Sequence, residues 1–124
     1  MNAINTYAPL VGRILIAVLF LLAGFGKLAD VQGFTGYLQS GGLPAFLAWP
    51  AILFEIAVGV LLVIGFQTRW VGLAGAAFCV VSAALYHNNF ADQVQMVMFL
   101  KNLAIAGGFL LLAANGPGKF ALDK

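Results

Sequence analysis

Charge is what this chain has least of. Of 124 residues, 6 are Lys or Arg and 4 are Asp or Glu, 8% in all, against 63% hydrophobic. Water-soluble domains carry about 25% charged residues. A chain this poor in charge has no polar coat to hold against water, and its outer solvent is expected to be lipid. The mean hydropathy of +1.02 points the same way. The net charge of +2 is spread thinly with no basic run, which excludes the electrostatic footprint of a nucleic-acid-binding protein. Cysteine is nearly missing as well. Cys79 stands alone, which rules out an intrachain disulfide, a CxxC redox pair and a cysteine-based zinc cage.

Hydrophobic runs are what the chain has instead. Crossing a bilayer as a helix takes about 20 mostly apolar residues. Four stretches qualify: 8–26, interrupted by Arg13; 43–66, interrupted by Glu55; 70–86, uncharged; and 94–114, carrying Gln95, Lys101 and Asn102. The predicted fold is all-α, an integral membrane four-helix bundle formed by residues 1–124 as a single domain. The short polar link at 67–69 makes the second and third spans antiparallel neighbours, and 87–93 is a second short link. The longer link, 27–42, places Val31, Phe34, Tyr37 and Leu38 at helical spacing with Gln32, Thr35 and Gln39 between them. That pattern predicts a short amphipathic interfacial helix between the first and second spans, ended by Gly41 and Gly42. Pro44 opens the second span, where a missing N–H costs nothing, and Pro50, one turn further in, is a candidate kink. Residues 14–22 also have the look of a signal-peptide core after Arg13. No small-x-small cleavage site follows cleanly, so this run reads as an uncleaved span.

Lys and Arg near the span ends set orientation. Both termini and the 67–69 turn share one side, which collects Arg69, Lys119 and Lys124; the other has Lys27, offset by Asp30 and Asp92. Both termini are therefore expected in the cytoplasm.

A charge at mid-bilayer costs about 2.5–3.5 kcal/mol on insertion scales, so each is expected to find a partner inside the bundle. Glu55, on a face with Ala48, Ala51, Ile52 and Gly59, and Lys101, at comparable depth with Ala104 and Gly108 on its face, are the expected interior pair. Asn102 would add hydrogen bonds. Arg13 shares a stripe with Ala17, Phe20, Gly24 and Lys27; it either joins this cluster or snorkels to the headgroups. The third span's stripe of Gly72, Gly75, Cys79, Ser82 and Tyr86 is small enough to face inward. A second polar cluster gathers at one membrane surface: Lys27, Asp30, Tyr86, His87, Asn88, Asn89 and Asp92. No metal site is expected, because His87 has no second histidine or cysteine nearby. His87 reads as an ordinary interfacial residue and Cys79 as a packing residue. Glu55, a carboxylate at mid-membrane, is the functional candidate.

Several segments together resemble a known family. They are Arg13-Ile-Leu-Ile through Gly24-Phe-Gly-Lys27-Leu, Glu55 followed by Gly59 and Leu62, and the Gly65-Phe-Gln-Thr-Arg69 turn. The block Lys101-Asn102-Leu-Ala-Ile-Ala-Gly-Gly and the closing Gly116-Pro-Gly-Lys-Phe-Ala-Leu-Asp complete the set. In order and spacing they resemble the DoxX family of small bacterial inner-membrane proteins. The resemblance implies a four-helix bundle in the bacterial cytoplasmic membrane. It also implies a link to quinone-dependent oxidoreduction, since DoxX relatives include subunits of a thiosulfate:quinone oxidoreductase and of membrane redox-stress complexes. Nothing in the sequence is built to bind haem, flavin or an iron–sulfur cluster, so no intrinsic cofactor is expected. Electrons would come from a membrane redox partner, and quinone is the candidate ligand of Arg13, Glu55, Lys101 and Asn102. The related bundle of vitamin K epoxide reductase uses paired cysteines, which this chain lacks. Two other readings fit the same buried charges. One is a non-enzymatic scaffold in which they only fix helix register. The other is a small transporter or lipid-handling protein, acting as a homo-oligomer, whose cations would favour an anionic ligand.

Overall fold

A computed structural model of the chain describes residues 2–87 and 89–122. Its elements are α1 (Asn2–Ala29), α2 (Val31–Ser40), a 3₁₀ turn (Ala45–Leu47), α3 (Ala48–Ile64), α4 (Thr68–Tyr86) and α5 (Gln93–Asn115). Among the described residues, four helical stretches are long and apolar enough to cross a membrane: Ala3–Ala29, Ala45–Ile64, Thr68–Tyr86 and Gln93–Asn115. They coincide with the four hydrophobic runs, and α1 extends beyond its run at both ends.

The bundle is built as two tight pairs, α1 along α3 and α4 along α5, with much sparser contact between the pairs. Small residues decide the pairing. A Cβ on Gly24 would stand 2.6 Å from the Ile56 side chain, and one on Gly59 would stand 2.6 Å from Leu21. Only glycine lets α1 and α3 come this close. In the other pair a Cβ on Gly75 would strike the Phe109 ring at 2.5 Å, so the ring of α5 sits directly against α4 at this glycine. The interior mixes small and aromatic residues (Ala17, Phe20, Ala83, Phe109) with a few aliphatic ones (Ile52, Leu62), while Leu15, Leu22, Trp70 and Leu111 point outward. That distribution suits a bundle whose solvent is lipid, where helices associate by close packing rather than by hiding leucine from water. The third-span stripe faces inward as expected at Gly72, Gly75 and Cys79, with Ser82 and Tyr86 half-buried at its end.

Short amphipathic α2 occupies the link between the first two spans. Asp30 starts it, accepting from the Gly33 N–H at 2.9 Å, and Gly41 ends it. Pro44 caps the 3₁₀ turn, and Pro50 falls in the first turn of α3. There the missing N–H has no intrahelical partner to lose, so Pro50 belongs to the helix start and does not kink its interior.

On the opposite side of the bundle the chain after α5 folds back across the ends of α1 and α3. The last four carbonyls of α3 would otherwise be orphans. The Leu61 oxygen accepts from the N–H groups of Gly65 and Phe66, and the Ile64 oxygen accepts from the Leu122 N–H at 2.9 Å. Those of Leu62 and Val63 accept from Arg13 Nη1 at 2.6 and 3.2 Å. Arg13 also donates from Nε to the Pro117 oxygen at 2.9 Å, and from Nη2 to that of Phe120. Tyr7 stacks on Phe120 with ring centroids 5.7 Å apart. Arg69 does the same work for α5, donating to the carbonyls of Ala113 and Ala114 at 3.0 and 2.8 Å. Both arginines thus meet the negative ends of helix dipoles.

Candidate functional site

Where the two helix pairs diverge beneath α2, they leave a cavity of about 780 Å³. Its walls come from the α2-side halves of all four spans, and α2 forms the roof through Phe34, Tyr37 and Leu38. Phe54 and Phe78, with ring centroids 5.1 Å apart, and Phe20 beside them make the floor aromatic.

One ion pair lies in its wall. Lys27 Nζ donates to Glu55 Oε1 at 2.8 Å. The close approach at Gly24 explains the pairing: Lys27 is three residues further along the same face of α1, and that face lies against Glu55 of α3. Glu55 is 5% exposed, so its carboxylate depends on this partner and on whatever fills the cavity. The Lys27 ammonium also sits over the Phe34 ring, 5.2 Å from its centroid, tying the pair to the roof.

The expected pairing of Glu55 with Lys101 is therefore corrected. Phe109 and Leu112, large and apolar, take the interior of α5 together with Ala106. Asn102 shares their stripe and donates to the Cys79 carbonyl at 3.3 Å and to Ser82 Oγ at 3.2 Å. Lys101 is rotated about 100° from Asn102. It borders the cavity from its α5 edge, is exposed there, and makes no ion pair with a described residue. Arg13 is fully buried and so does not snorkel. It lies at the tail, outside the cavity, and leaves the expected polar cluster.

The surface cluster divides as well. Lys27, Tyr86 and His87 line the cavity. Tyr86 donates its hydroxyl to the Leu38 carbonyl at 2.8 Å and stacks on Tyr37 with centroids 4.6 Å apart, which holds α2 down. His87 Nδ1 lies 3.2 Å from Gln95 Oε1. Asp30 and Asp92 stand apart as helix N-caps, Asp92 accepting from the Val94 N–H at 2.9 Å. An aspartate just before an apolar periodic run is the sequence signal for that role. Asn88 lies outside the described residues. Tyr37, like Phe34 and Leu38, is a cavity residue that the sequence placed only on an amphipathic helix. Burial, with Tyr86 beside it, raises its phenol pKa above the usual 10.0.

Comparison with known proteins agrees with this architecture. The DoxX family model matches residues 8–88. The chain belongs to the DoxX family. Among DoxX-type relatives, Inner membrane protein YqjF of Escherichia coli (strain K12) is 42% identical over 124 residues, covering 100% of this chain and 95% of that protein. Inner membrane protein YphA of the same organism is 34% identical over 122 residues, covering 93% and 87%. Putative oxidoreductase CatD of Bacillus subtilis (strain 168) is 28% identical over 117 residues, covering 90% and 87%. No solved structure matches the chain. This DoxX chain is thus a multi-pass membrane protein, similar to proteins of the inner membrane.

Proposed function

We propose that this DoxX protein binds a quinone in the cavity beneath α2 and serves as the quinone-interacting subunit of a membrane oxidoreductase. The observation that carries this reading is the cavity itself, an apolar, partly aromatic space with a buried ion pair in its wall. Its volume of about 780 Å³ falls in the range of about 300–1,000 Å³ that holds drug-sized ligands. Flat walls from Phe34, Phe54 and Phe78 suit a ring. Lys27 can donate to a ring carbonyl, and Glu55 is placed to accept a proton from a ring hydroxyl. Electrons would come from a partner protein. The relative whose name reads putative oxidoreductase supports the same direction.

Titration of purified protein with a short-chain quinone, followed by calorimetry, tests this. Wild type should bind saturably. Ala51→Phe, which fills the cavity from α3, should abolish binding, and Glu55→Gln should weaken it about tenfold, the worth of one hydrogen bond to a charged group. Equal binding by all three would refute the proposal.

In this reading both termini face the cytoplasm. Lys27 is neutralised by Glu55, while Arg69 and Lys119 stay on the terminal side; Lys124 lies outside the described residues. A reporter fused to the C-terminus that is active only in the cytoplasm should be active.

A further inference from the structure

Charge in the cavity does not balance. Lys27 and Glu55 neutralise each other at 2.8 Å. Lys101 lines the same space and has no counter-charge among the described residues. It stands eight residues into α5, about 12 Å along the helix axis, so it lies well inside the membrane-spanning segment. His87, the remaining basic side chain in the lining, has Gln95 beside its Nδ1. The polar groups nearest Lys101 on its own helix are those of Asn102, whose amide nitrogen already donates to α4. Lys101 is thus an exposed cation bordering an apolar space at its α5 edge, with no ion-pair partner among the described residues. A cation in that setting is stabilised by any ligand that brings the missing charge.

Resting on the quinone reading above, we infer that the cavity selects an amphiphile whose ring head carries one negative charge, the ionised oxygen of an acidic quinone, with Lys101 as its specificity-determining partner. The head lies between Lys101 on α5 and the Lys27 ammonium on α1, and its apolar remainder fills the space over Phe54 and Phe78. A neutral head of the same shape fills the same space but leaves Lys101 unpaired. Selectivity between the two therefore reports on Lys101 and not on cavity shape.

Two probes of nearly equal size separate the ideas: a 2-hydroxy-3-alkyl-1,4-naphthoquinone, ionised at neutral pH, and its neutral 2-methoxy counterpart. Wild type in nanodiscs of zwitterionic lipid should bind the hydroxy compound at least about tenfold more tightly, the factor expected for one charge-assisted hydrogen bond. Lys101→Met should bring the ratio close to one by weakening the hydroxy compound alone. Lys101→Arg should restore most of it, which also shows that the site survives substitution. Equal binding of both probes by wild type, or an unchanged ratio in Lys101→Met, overturns the charge selectivity while quinone binding stands. Binding of neither probe overturns the quinone reading and this inference with it.

Discussion

Glu55 and Lys27 share one hydrogen bond but do not depend on it equally. Glu55 is 5% exposed and lies mid-helix, whereas the Lys27 side chain is 28% exposed and two residues from the end of α1. Deprived of Glu55, Lys27 can extend to the headgroups. Deprived of Lys27, the carboxylate has nowhere to go. Lys27→Met should therefore destabilise the bundle by about 2–3 kcal/mol and Glu55→Gln by about 1 kcal/mol. The double variant should be more stable than Lys27→Met alone. Thermal unfolding in one detergent checks the order, and a reversed order would show that Lys27 does not shield the carboxylate. Glu55 was legible in the sequence because a carboxylate inside a 24-residue apolar run (43–66) stands out. Its partner was not. Depth pointed to Lys101 and left Lys27 at the membrane surface, and the choice between them is made by the glycines that bring α1, not α5, against α3.

Helix α2 shows what periodicity does and does not convey. Its existence and its stop at Gly41 follow from the spacing of apolar residues and the glycine pair. Its position over a cavity depends on Tyr86, which is 48 residues away from Leu38, the carbonyl it grips. No local pattern encodes that contact. Replacing Tyr86 with Phe removes a hydrogen bond worth about 1 kcal/mol but keeps the ring stacked on Tyr37. Amide exchange in α2 should then rise severalfold while that of α3 stays unchanged; equal acceleration in both would mean that Tyr86 supports the bundle at large. Tyr37 adds a pH dependence. Its folded pKa is raised by burial and by Tyr86, so the neutral phenol is the form that docked α2 prefers. That stabilisation is complete below the ordinary tyrosine pKa of about 10 and is lost as pH rises through the higher folded value. Alkaline titration followed by phenolate absorbance should show a late-titrating component that shrinks in Tyr37→Phe.

At the scale of the whole molecule the two ends of the bundle do different work. One end holds the cavity under α2, and the terminal end is crossed by the tail. Four apolar runs and their order were readable because lipid demands about 20 apolar residues per helix. The crossing of the tail was not, since it is made by backbone carbonyls, which no side-chain pattern advertises. Arg13 looked equally able to snorkel or to join the polar cluster. In the folded chain its fork collects carbonyls from α3 and from the tail at once. Arg13→Met leaves those carbonyls without their donor and should lower stability by about 3 kcal/mol, with the tail becoming sensitive to carboxypeptidase. Arg13→Lys should recover only part, because an ammonium cannot reproduce a planar fork reaching in several directions. Truncation after Asn115 should resemble Arg13→Met in stability. Below their unfolding temperatures all three should bind quinone as wild type does, since Arg13 lies outside the cavity lining. Ala51→Phe should do the opposite, losing binding without exposing the tail. An Arg13 variant that folds, keeps its tail protected and yet loses quinone would show that the two ends are coupled, contrary to the separation argued from their geometry.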